Sequence, residues 1–71
     1  MKYTVIIEQG ENSWGAYVPD LPGCIAAADT REGAIALIRE AIEFHIEGLA
    51  EQGEPVPAPH SSSELVEINA A

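Results

Sequence analysis

The sequence is poor in the residues that staple or anchor small proteins. Its 71 residues include a single cysteine, Cys24, so no intramolecular disulfide can form and no cysteine-built metal cluster is in view. Only three side chains are Lys or Arg against twelve Asp and Glu, a formal charge of -9 that repels phosphate and argues against direct binding to nucleic acid. No segment approaches the roughly 18 apolar residues needed to span a membrane. The amino-terminal stretch alternates into Glu8 without the long apolar core of a secretion signal. These absences make the cytoplasm the expected address.

What the chain does have is apolar content. Hydrophobic residues are 46% of the sequence, ample for one core, yet a domain this short buries only about 60% of the surface its unfolded chain exposes. Self-association into a homodimer or higher oligomer is the expected compensation. The acid excess suits a basic partner, although solubility alone would also explain it.

Residues 2–8 and 13–18 are β-prone and flank the turn formers Gln9, Gly10, Glu11 and Asn12, which reads as an opening β-hairpin. Pro19, Asp20, Leu21, Pro22 and Gly23 then interrupt regular structure, and 24–28 forms a third short strand antiparallel to the second. Asp29 and Thr30 are helix-capping types and Glu32 suits the positive end of the helix dipole, so a helix is expected from about 30 to 52, stopped by Gly53 and Pro55. Residues 54–63 form a Pro/Ser-rich connector in which Pro55, Pro57 and Pro59 favour extended chain. Leu65 to Asn69 can form a fourth strand, giving an α+β domain over 1–71 in the order β-β-β-α-β.

Placed at 100° per residue, Ala34, Ile35, Leu37, Ile38, Ala41, Ile42, Phe44, Ile46, Gly48 and Leu49 fill one broad face of the helix, which is expected to pack on the sheet. The opposite face gathers Glu40, Glu43, Glu47 and Glu51 beside Arg39. Glu43, Glu47 and Glu51 recur every four residues, and each repels the next by a few tenths of a kcal/mol. An acidic stripe with a folding cost is a candidate partner-binding surface, against the plainer reading of a solvated helix face.

Pro19-Asp20-Leu21-Pro22-Gly23-Cys24, followed by Asp29 and Thr30, then Glu40, Ala41, Ile42 and His45, with Gly48, Leu49, Gly53, Glu54, Pro55, Pro57 and Pro59 beyond, resembles the HicB antitoxin family over roughly residues 1–60. The resemblance implies a truncated ribonuclease H-like, mostly antiparallel four-stranded sheet of order 3-2-1-4 with the helix on one face. It also implies a non-catalytic antitoxin that binds a small basic HicA-type toxin, itself a histidine-dependent messenger RNA nuclease. An acidic cover for a basic RNA-seeking surface is electrostatically sensible. The alternative is an orphan oligomeric binding or scaffold module without a toxin. Many family members carry a further DNA-binding module; none is expected in this chain, nor is nucleic-acid binding by this chain alone. Ala28 and Gly33 depart from the glycine and glutamate common in the family at those places.

Other chemistry-bearing residues have structural readings. The loop 19–24 is read as a shaped connector, because Asp20 has no partner acid or base near it in sequence. His45 lies within the apolar arc and is read as a core or interface histidine, His60 as solvated, and Cys24 as a small hydrophobe. Trp14 and Tyr17 are expected to pack on the sheet or at an oligomer contact. Beyond Glu8 the first three strands offer few carboxylates for two-metal nuclease chemistry, so no catalytic residue, metal site or cofactor is assigned.

Overall fold

A computed structural model describes residues 1–70. Its elements are β1 (Ile6–Gln9), β2 (Trp14–Tyr17), β3 (Ile25–Ala28) and α1 (Arg31–Glu51). The strands form one antiparallel sheet in the order β1-β2-β3, with Ile7 opposite Ala16 and Ala16 opposite Ala26. The hairpin joining β1 to β2 closes through Gly10 N–H donating to Ser13 O at 2.8 Å.

β1 is shorter than the 2–8 expected, and the register explains where it begins. Ile6 opposite Tyr17 is the last paired position. One step on, Val18 N–H turns to Cys24 O, and continuing the register would bring Pro19, which has no N–H, opposite Thr4. Tyr3 and Thr4 use their side chains instead: the Tyr3 hydroxyl donates to Pro57 O, and Thr4 Oγ1 donates to Ser61 O at 2.7 Å.

The proline-bracketed loop is two consecutive turns. Leu21 N–H donates to Val18 O and Cys24 N–H to Leu21 O, with Gly23 at φ 84° supplying the left-handed position that follows Pro22. This geometry drives Leu21 fully into the core beside Ala16, Val18, Cys24, Ala34 and Ile38. Buried Cys24 has its thiol pKa pushed up by desolvation, in keeping with a packing role.

The helix has the ends its sequence signals. Thr30 is the N-cap, its Oγ1 accepting from Gly33 N–H at 2.9 Å. At the other end Glu54 N–H donates to Leu49 O and Gly53 N–H to Ala50 O, with Gly53 at φ 70°, a paired closure that satisfies the last carbonyls. Gly33, a weak position by propensity, has a packing reason: a Cβ there would lie 2.9 Å from Thr30 Oγ1 and 3.1 Å from Ala28 Cβ.

Two expectations are corrected. Residues 65–69 form no strand, so the four-stranded order 3-2-1-4 gives way to a three-stranded sheet; Leu65, Val66 and Ile68 are exposed, because strand propensity alone makes no strand until the segment meets an edge and pairs with it. The apolar helix face is also narrower than its periodicity suggests. Ala34 and Ile38 are buried and Ile42 and Ile46 flank them, but Leu37 and Phe44 are exposed, since a sheet of three short strands cannot cover so wide an arc.

Candidate functional site

Glu40, Glu43, Glu47 and Glu51 are all exposed along the solvent side of α1. At 100° per residue they fall within a narrow arc, and Glu32 lies one side of it at the amino-terminal end. Among the described residues none of the four carboxylates makes an ion pair, so the ridge carries its charge uncompensated. Glu43 also reaches the edge of a groove between α1 and β1, where Arg39 stands.

The sequence reading missed the apolar border of this ridge. Phe44 sits one turn from both Glu40 and Glu47 and is 79% exposed, and Leu37 lies two turns before it on the same side. Phe44, His45, Gly48, Leu49 and Gln52 line a shallow hollow near the carboxyl-terminal end of the helix. His45 is thus half-buried and lines the hollow rather than lying deep in the core. Acidic side chains ringing an exposed aromatic combine a source of long-range attraction with a side chain able to anchor a contact. An apolar residue one turn from acids on both sides was the available signal, but periodicity assigned it to the core.

Asp20 forms the second polar centre. Its buried carboxylate accepts from Ser61 Oγ at 2.6 Å on Oδ1, and from the backbone N–H groups of His60 and Ser61, each at 2.9 Å, on Oδ2. The exposed His60 ring places Nε2 3.2 Å from Oδ1. The Ser61 hydroxyl and N–H, with help from the His60 N–H and ring and against the opposing effect of burial, lower the Asp20 pKa to about 2. His60 is therefore tied down through its backbone, which corrects the purely solvated reading, and Asp20 is a clasp between the loop and the proline-rich connector.

The remaining aromatic and acidic candidates separate by sheet face. Trp14 packs on the helix side against the core. Tyr17 and Glu8 lie on the other face, where Ile6, Tyr17 and Ile25 make one cross-strand row. Among the described residues no group of three or more His, Cys, Asp or Glu side chains is placed to hold a metal ion. No helix is long and apolar enough to cross a membrane.

Three antiparallel strands backed by one long helix, with an acidic outer ridge, define a small α+β module with a charged helical surface. The family model described as HicB-like antitoxin of bacterial toxin-antitoxin system matches residues 3–70, and the chain belongs to that family. It is 32% identical to Antitoxin HicB 2 of Photorhabdus laumondii over 72 aligned residues, covering 100% of this chain and 52% of that protein. It is 44% identical over 57 residues to an uncharacterized 14.9 kDa protein from the rep-hol intergenic region of Haemophilus phage HP1, covering 80% of this chain and 43% of the relative. A UPF0150 protein of Thermoplasma acidophilum is 43% identical over 58 residues, 80% of this chain and 84% of its own length. The chain thus spans about half the length of the phage and Photorhabdus relatives. No solved structure matches it.

Proposed function

We propose that this chain is a non-catalytic antitoxin that binds and silences a small basic toxin of the HicA type through the ridge Glu40, Glu43, Glu47 and Glu51, anchored by Phe44. The observation that carries this reading is the uncompensated acidity of the ridge in a member of the HicB-like antitoxin family. Carboxylates spaced to repel one another cost folding energy that a cationic partner relieves. A basic surface that attracts RNA phosphate is attracted to the same carboxylates, so an acidic cover competes directly with substrate.

The test is co-expression. A neighbouring reading frame for a basic protein of under about 100 residues supplies the candidate toxin. Expressed alone it should arrest growth and degrade messenger RNA; co-expressed with this chain it should do neither and should copurify with it. Continued arrest at equal expression, or loss of toxicity without a physical complex, would refute the proposal.

A further inference from the structure

The sheet is open at β1. β2 pairs with one edge of β1 and, among the described residues, no strand pairs with the other, while α1 lies chiefly over β3 and β2. Between the helix-facing side of the amino-terminal segment (Tyr3, Val5, Ile7) and the near face of α1 (Ile35, Ile38, Ile42) this leaves an apolar groove of about 670 Å³. Lys2 and Arg39 line it as well, two of the three basic side chains in the whole sequence, together with Glu43.

The same chain carries an unused strand. The connector is fixed as far as Ser61 by Asp20 and Thr4, and beyond that point the backbone makes no regular structure. Leu65, Val66 and Ile68 are 99%, 70% and 76% exposed. The radius of gyration is 14.2 Å and the long axis 52 Å, against a radius of about 11 Å for a compact domain of this length. In extended chain Glu64, Val66 and Ile68 share one face and Leu65, Glu67 and Asn69 the other.

We infer that residues 64–69 of a second copy of this chain add as a strand to the free edge of β1, with Val66 and Ile68 seated in the groove. Each copy has one groove and one tail, so reciprocal donation closes a two-fold dimer without leaving either unfilled. The charges favour this occupant: Glu64, on the same face of the donor strand as Val66 and Ile68, approaches the Lys2 and Arg39 of the groove, whereas a strongly basic partner would meet like charge there. The added strand also covers an edge that would otherwise invite uncontrolled pairing. The dimer leaves most of the acidic ridge facing outward, so the inference stands independently of the toxin reading.

Sedimentation equilibrium of the full chain at tens of micromolar, the working range for a weak dimer, should give the dimer mass. The double variant Val66→Glu/Ile68→Glu should give the monomer mass and keep the helical far-ultraviolet circular dichroism signal, losing only the strand contribution of residues 64–69, because these exposed side chains support no secondary structure within one copy. Nuclear Overhauser effects filtered for contacts between isotopically labelled and unlabelled wild-type chains should connect the Val66 and Ile68 methyls to those of Ile7 and Ile42. A monomeric wild type, a dimeric double variant, or contacts found only within one chain would overturn the proposal. So would a monomer that loses binding of a basic partner on Val66→Glu, since the tail would then belong to that partner.

Discussion

The Asp20 carboxylate reaches Ser61 across forty-one positions of sequence, taking both its hydroxyl, at 2.6 Å, and its backbone N–H, at 2.9 Å. The Pro19–Gly23 loop thereby holds the connector against the sheet, at the point from which the tail departs. The pKa of about 2 lies below the ordinary carboxylate value of 3.8, so the folded state favours the ionised form. The associated stability is present above about pH 4 and is lost as pH falls toward about 2. Acid titration of thermal stability should show a loss in that window. Asp20→Asn, which cannot accept all of these bonds and brings an amide NH₂ against donors, should lower Tm at pH 7 and flatten the acid limb. An unchanged Tm with proteolysis between 54 and 61 no faster than in the wild type would show the clasp to be dispensable.

How much of this was legible follows from the range of each signal. Thr30 before Gly33 and Gly53 before Pro55 are local chemistry, and α1 begins and ends within one residue of where they place it. The ridge from Glu40 to Glu51 follows from helical period alone. The Asp20 clasp has no local trace, because its partners lie beyond the range of any turn or capping signal. Leu37 and Phe44 were assigned to the core because periodicity reports which residues share a face and not how wide a sheet faces them. Residues 65–69 have strand propensity, but their pairing depends on an edge, and an edge is a tertiary property.

Charge removal on the ridge should separate stability from binding. Glu43→Gln/Glu47→Gln removes like-charge neighbours four residues apart, so the free protein should gain a few tenths of a kcal/mol. Association with a basic partner should slow, and its rate should depend less on salt, because the lost charges steer encounter through a screened field. Stopped-flow association at two ionic strengths, alongside thermal melts of the free chain, measures both. Rates equal to the wild type at both salts would leave the ridge a solvated face.

Phe44→Ala tests the anchor without touching charge. The side chain is largely exposed, so truncation should change the stability of the free chain by no more than about 0.5 kcal/mol. If Phe44 centres the contact, partner affinity should fall by about 2 kcal/mol, or about thirtyfold, seen mainly as faster dissociation. Calorimetric titration with the copurifying partner gives the number. A loss below twofold would move the contact elsewhere on the surface.

The two helical glycines should respond oppositely to the same substitution. Gly48 has nothing within 4 Å of an added Cβ, so Gly48→Ala should realise the full helix-propensity gain of about 1 kcal/mol. In a domain of this size that raises Tm by about 4–8 °C. Gly33 is equally helical, but its Cβ would stand 2.9 Å from the Thr30 Oγ1 that caps the helix and 3.1 Å from Ala28 on β3. Relieving that contact means displacing the cap, whose loss costs about 0.5–2 kcal/mol, and pressing the helix start off the sheet. The propensity gain is therefore offset, and Gly33→Ala should melt at or below the wild type. Thr30→Ala/Gly33→Ala should then cost less than the two single changes summed, because the clash disappears with the hydroxyl. Thermal melts of the four variants complete the comparison; a Gly33→Ala gain equal to that of Gly48→Ala would mean that the start of α1 yields freely and that the close approach to Ala28 does not constrain it.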